Sequence, residues 1–247
     1  GQIYGMQADF KNAEFFLDSA LILSGNTNYK KARIGVLNNL AVVYGLQALY
    51  EKALKAHLEA LKLRQDIDDK QGMASSYNNI GIIYDFLKQP DKALDYFQKS
   101  AELETNIGDK KGLANSLASM ANIYLLKKEY EKALDNLEKS LKTREEMKDK
   151  AGICSSLLGM AQVYQAKKDF ETALGYFRKG LVLAKELGNK ENIGICHLSI
   201  GEMLVEKGIY DTGIKNLLEA VKIFEDAILN DMLSECYLSL SNAYSKT

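Results

Sequence analysis

The chain has 247 residues, the size of one large domain or two small ones, and its 47% apolar and 9% aromatic residues supply a sizeable core, which excludes wholesale disorder. Its 32 Lys+Arg against 33 Asp+Glu leave a formal charge of −1, which argues against a nucleic-acid binder and against a polybasic membrane-surface protein. One proline and no tryptophan point to long uninterrupted helices.

Cys154, Cys196 and Cys236 are an odd number with no disulfide-framework spacing, so they read as reduced thiols in a cytoplasmic setting. No apolar run approaches the roughly 18 residues of a membrane span, and no membrane contact is expected of this segment. The first residues carry neither an initiator Met nor a charged-then-apolar signal pattern. The sequence therefore reads as a fragment, from which a targeting segment could have been removed.

The chain repeats itself every 40 residues. Residues 1–30 form a partial repeat: Gly1-Gln2-Ile3-Tyr4 is in register with the tail of a first helix, and Phe10, Ala13, Leu17 and Ala20 mark a complete second helix at about 10–25. Five whole repeats follow, 31–70, 71–110, 111–150, 151–190 and 191–230. Each begins with a first helix, marked by Leu40-Ala41-Val42-Val43-Tyr44 and then by Ile80-Gly81, Met120-Ala121, Met160-Ala161 and Ile200-Gly201. Leu37, Tyr77, Leu117 and Leu157 lie three positions before the large residue, and Tyr44, Tyr84, Tyr124 and Tyr164 lie four after it. Spacings of three and four put them on one helical face, with the small residue admitting a neighbouring helix.

Each second helix follows a short polar link such as Lys127-Lys128-Glu129. It carries the small ladder Ala53, Ala93, Ala133, Ala173 and Gly213. Four residues on come His57, Phe97, Leu137, Phe177 and Leu217, and three beyond those Ala60, Ser100, Ser140, Gly180 and Ala220. Pro90 starts one second helix, where its missing N–H costs nothing. Asp69, Asp109, Asp149 and Asn189 are expected N-caps of the next first helix, and Gly108 and Gly188 expected left-handed C-terminal residues. Residues 231–247 supply one more first helix. Tyr237, Leu240, Ser241 and Tyr244 keep the full packing signature, which favours a truncated repeat over a natural cap with a polar outer face.

These blocks resemble the tetratricopeptide repeat (TPR) family over essentially the whole chain, through the Leu-Gly/Ala-x-x-Tyr block, the Tyr-x-x-Ala block and the following Phe and small residue. The Pro that usually closes the second helix is absent, and the period is 40 rather than 34, which should lengthen the helices. The variant looks like the long repeats of Pins-type spindle-orientation adaptors, of bacterial peptide-pheromone receptors and of sensor modules fused to kinases or cyclases. The resemblance implies an all-α fold: a right-handed α-α superhelix, or TPR solenoid, of antiparallel helix pairs forming a single domain.

Catalytic constellations are thin. His57 and His197 fall at core packing registers, where a packed, hydrogen-bonded histidine is expected rather than a base or ligand. No HExxH, CxxC or glycine-rich phosphate loop is present, and neither metal nor cofactor is expected. Cys196 and Cys236, one repeat apart, read as small buried residues. Glu131, Lys132, Glu138, Lys139 and Lys142 read as a solvated face.

In the TPR family the first helices line a concave groove. Its exposed registers here should be Asn38, Asn78, Ala118, Leu158, Leu198 and Leu238, and Val42, Ile82, Asn122, Gln162, Glu202 and Asn242, with Asn115 one turn earlier in its helix. Asn39 and Asn79 flank the first of these. An amide offers both a donor and an acceptor to a peptide backbone. The resulting ligand-binding set is Asn38, Asn39, Asn78, Asn79, Asn115, Asn122 and Gln162. Asn39 and Asn79 could equally bond neighbouring helices. These registers hold no Lys or Arg, so the family's carboxylate clamp for acidic tails is missing, and Asp85, Glu202 and Glu235 favour neutral or basic partners over acidic ones. The expected function is a non-catalytic scaffold binding a peptide or helix of a protein partner. The alternative is the sensory input domain of a larger signalling protein. Self-association through the terminal helices is also expected, from apolar faces left uncovered at Tyr237, Leu240 and Tyr244.

Overall fold

The computed structural model describes residues 10–25 and 29–246; the expected helix tail at residues 1–4 lies outside them. The chain divides into two compact units, Gly1–Ile123 and Tyr124–Thr247, each built from antiparallel helix pairs. The first unit holds α1 (Phe10–Gly25), α2 (Lys30–Leu46), α3 (Tyr50–Asp66), α4 (Lys70–Phe86), α5 (Pro90–Ile107) and α6 (Lys110–Leu126) as far as Ile123. The second holds the end of α6 and α7 (Tyr130–Glu146), α8 (Lys150–Ala166), α9 (Phe170–Leu187), α10 (Lys190–Glu206), α11 (Tyr210–Ala227) and α12 (Asn230–Tyr244). The starts from α1 and α2 onward recur at the sequence period, and among the described residues no strand occurs.

Polar caps begin the first helices α4, α6, α8 and α10, whereas α2 and α12 start at Tyr29 and Leu229 without one. Asp69, Asp109 and Asp149 accept from the N–H of Gly72, Gly112 and Gly152 at 2.9, 2.9 and 3.0 Å, and Asn189 from that of Asn192 at 3.0 Å. Asp169 caps α9 in the same way through the Thr172 N–H, a cap the sequence reading did not name. Pro90 opens α5 as expected. From α2 onward, every turn between helices closes through a residue in the left-handed region. After α3, Asp69 N–H donates to the Arg64 carbonyl at 3.0 Å and Asp68 N–H to that of Gln65 at 3.2 Å. Gly108 and Gly188 hold this conformation as expected, but so do Asp68, Lys148 and Ile228 at the same register and Ala48, Lys88, Lys128 and Lys168 in the other set of turns. The turn geometry is thus imposed by the packing of the helix pair, and glycine marks only some of its sites.

The three small-residue ladders are the closest contacts. Ala53, Ala93, Ala133 and Ala173 are all fully buried, as are Ala60, Ser100, Ser140 and Ala220. A Cβ on Gly81 of α4 would stand 2.7 Å from the Phe97 ring of α5. Gly201 and Gly213 approach until a Cβ on either would lie 3.0 Å from the other's carbonyl oxygen. Four residues from the alanines, Phe97, Leu137, Phe177 and Leu217 fill the space between helices, each essentially fully buried. The tyrosines of the first helices are only half-buried, and lysines of the following helix lie over them: Lys52 on Tyr44 at 5.0 Å, Lys92 on Tyr84 at 5.2 Å and Lys132 on Tyr124 at 5.4 Å. At the end of the chain Tyr237 and Tyr244 are exposed as expected, but Leu240 is buried against α11, because its register faces the preceding helix.

His197 is hydrogen-bonded as expected, its Nδ1 2.9 Å from Asn216 Oδ1, though only half-buried. His57 is buried as expected, but its Nδ1 has no hydrogen-bond partner. Burial, with the Arg64 charge adding to it, pushes the His57 imidazole down to about 4 from an ordinary 6.5. The folded state therefore binds fewer protons than the unfolded chain between these values. The stability from a neutral His57 is complete above about pH 6.5 and is lost as pH falls towards 4. We expect the wild type to lose roughly 1–3 kcal/mol relative to His57→Phe, the residue of the same register in α5 and α9, between pH 7 and pH 4. Denaturant titrations at a series of pH values measure this; parallel curves would contradict it.

Candidate functional site

The helical period carries the expected amides to one side of successive first helices. Asn38 and Asn39 lie on α2, Asn78 and Asn79 on α4, and Asn115 and Asn122 on α6, all in the first unit. Gln162 lies on α8 in the second. Asn115, Asn122 and Gln162 are exposed, and the other four are half-buried. The Oδ1 atoms of Asn38 and Asn78 are fully buried and accept no hydrogen bond. The registers therefore differ from their expected exposure. Val42, Ile82, Asn122 and Gln162 are open to solvent, whereas the register of Asn38 and Asn78 is partly covered in α2 and α4 and fully covered at Leu158 and Leu198. Leu158 is covered because Gly180 of α9 lets it approach to where a Cβ would lie 2.7 Å away.

In the first unit Asn78, Asn79 and Asn115 come together along a cleft of about 420 Å³. Asn38, Asn39 and Asn122 do not line it. Its lining also holds Gln71, Glu104, Lys111 and Gly112, none of them expected from the sequence, and Asp109, expected only as a cap. Asp109 Oδ2 accepts from Gln71 Nε2, and the Gly112 N–H and this amide hold its carboxyl below the usual range. Glu104 is 4% exposed, and burial raises its carboxyl, opposed by the Ser116 and Ser100 hydroxyls. The readable signal was its register, which holds Arg64 and Arg144 forty residues to either side.

In the second unit a cleft of about 340 Å³ is lined by Gln165, Glu202, Val205, Ser239 and Asn242. Glu202 accepts from Ser239 Oγ at 2.6 Å, and burial raises its carboxyl. The three cysteines are buried and free; burial pushes the Cys196 thiol up to about 12 and the Cys236 thiol up to about 11, so neither is a thiolate near neutral pH. Among the described residues no three His, Cys, Asp or Glu converge as metal ligands, and no helix is long and apolar enough to cross a membrane.

Solved structures with the same fold have low sequence identity to the chain. BtubC from P. vanneervenii superimposes with a TM-score of 0.75 at 17% identity, covering 91% of this chain and 92% of that one. The apo quorum sensor NprR from B. thuringiensis gives 0.75 at 18% identity, over 99% of this chain and 69% of that one. A Rap protein complexed with Competence and Sporulation Factor gives 0.72 at 15% identity, over 92% and 69%. No curated protein matches the chain closely enough to count as a relative. Tetratricopeptide repeat models match residues 33–106, 87–146 and 156–191. With its helix pairs at a fixed period, its small-residue ladders and these matches, the chain belongs to the tetratricopeptide repeat family.

Proposed function

We propose that the chain is a non-catalytic scaffold that binds an extended peptide or a helix of a protein partner on the faces that the first helices present within each unit. The observation that carries this reading is the row of exposed amides at Asn115 and Asn122, continued by Asn78 and Asn79 in the cleft beside α6. Asn38 and Asn39 extend the contact set within the first unit, and Gln162 offers an exposed amide of its own on α8 of the second. The exposed amide of Asn122 offers both a donor and an acceptor to the backbone of a ligand. Asp85, Glu202 and Glu235 on the first helices favour a neutral or basic ligand over an acidic one. A sensory role, with the same face as the input of a larger signalling protein, is a second reading, favoured by the likeness to a quorum sensor.

Replacing Asn78 and Asn122 together by Ala should weaken peptide binding about tenfold, or roughly 1.4 kcal/mol, with little change in melting temperature. Isothermal titration with a peptide from a captured partner measures it; an unchanged affinity, or a partner mapped to the second helices, would contradict the reading. The same proposal includes self-association through α12, whose Tyr237, Leu238 and Tyr244 are exposed. Light scattering across a concentration series should show dimers at high concentration, and a strict monomer throughout would refute that part.

A further inference from the structure

Residue 104 departs from its neighbours. In the repeats on either side, the same register of the second helix holds a buried arginine, Arg64 or Arg144. Arg64 Nη1 donates to Ser76 Oγ, and its Nε lies 3.8 Å from the cap carboxylate of Asp69. Arg144 Nη1 donates to Ser156 Oγ at 3.1 Å and to the Gly152 carbonyl at 2.7 Å, next to Asp149. Both of these repeats thus set a guanidinium between a cap aspartate and a serine of the following first helix, whereas the later repeats hold Ala184 and Phe224 at this register.

At α5 and α6 the aspartate and serine are kept, as Asp109 and Ser116, but the cation is replaced by Glu104. Its Oε1 lies 3.0 Å from Ser100 Oγ, whose one hydroxyl hydrogen is shared with the Ala74 carbonyl at 2.8 Å, while Oε2 is buried without a hydrogen-bond partner. Asp109 is served by Gln71, Gly112 and the charge of Lys111. Two carboxylates therefore stand where neighbouring repeats pair one carboxylate with a guanidinium, an arrangement that is costly while uncompensated. The 420 Å³ cleft opens beside them; Lys111 in its lining acts on Asp109, whereas Glu104 Oε2 and Asn78 Oδ1 are buried acceptors with no donor.

Acceptors without donors specify a cationic, donor-rich group. A guanidinium presents five N–H in one plane and can span a carboxylate and a neighbouring amide oxygen together, which a compact ammonium does less well. We propose that this cleft takes an arginine side chain of the peptide ligand, the ligand supplying at Glu104 the guanidinium that Arg64 and Arg144 supply in their own repeats. The inference rests on the peptide-binding reading above and names the side chain that the first unit selects.

Titration of the full chain with Nα-acetyl-arginine amide and with its neutral isostere Nα-acetyl-citrulline amide, followed by NMR, tests it. Saturable shifts at Asn78, Gly112 and Asn115 are expected with the arginine compound, weaker by about tenfold or more with citrulline and in Glu104→Gln. Glu104→Arg should fill the site from within, abolishing the response and raising the melting temperature. An equal response to citrulline, an unchanged response in Glu104→Gln, or no saturable shift with arginine overturns the inference. Peptides held on the first-helix face without preference for arginine would sink this inference alone; loss of all peptide binding would sink the reading beneath it.

Discussion

Close approach of helices at small side chains is the constraint on which the rest depends. A helix pair can bury Phe97 against Gly81, or Phe177 in the second unit, only if the facing positions carry no bulk. Because alanine, serine or glycine stands at three fixed registers, each pair adopts one crossing and one turn. Asp68, Lys148 and Ile228 then accept a left-handed conformation that glycine would adopt more readily. Local backbone preference yields there to tertiary packing.

The same constraint explains why so much of the fold was legible in the sequence. A ladder of small residues in step with aromatics and tyrosines is a direct record of helix spacing, and capping residues such as Asp69 and Asn189 record where each helix begins. Side-chain environment was less legible. The register of Asn38 and Asn78 looked open, but burial there depends on the size of residues on the next helix, as Leu158 against Gly180 shows. His57 sat in an apolar register with Phe97 and Leu137, and nothing in the pattern revealed that its ring would lack a partner.

Function in a repeat protein concentrates where a repeat departs from its neighbours, since shared residues serve packing. Arg64 and Arg144 close their local charge balance within the chain; Glu104 leaves it open beside a cleft already lined by amides. Its neighbours in sequence gave no hint of a site, because the chemistry arises from an exchange of charge at one register and from a cap and an amide supplied by two other helices. The buried, raised thiols at Cys196 and Cys236 illustrate the opposite case, residues of reactive type held in ordinary packing positions.

The claim that small residues fix the helix crossings is tested most directly by thermal and denaturant unfolding of Ala133→Leu. Ala133 is fully buried in the middle ladder of the second unit's first complete helix, α7. Overpacking at this contact should cost roughly 1–3 kcal/mol or more, visible as a lower melting temperature and an earlier denaturant midpoint. A variant that unfolds at the wild-type midpoint would contradict the account.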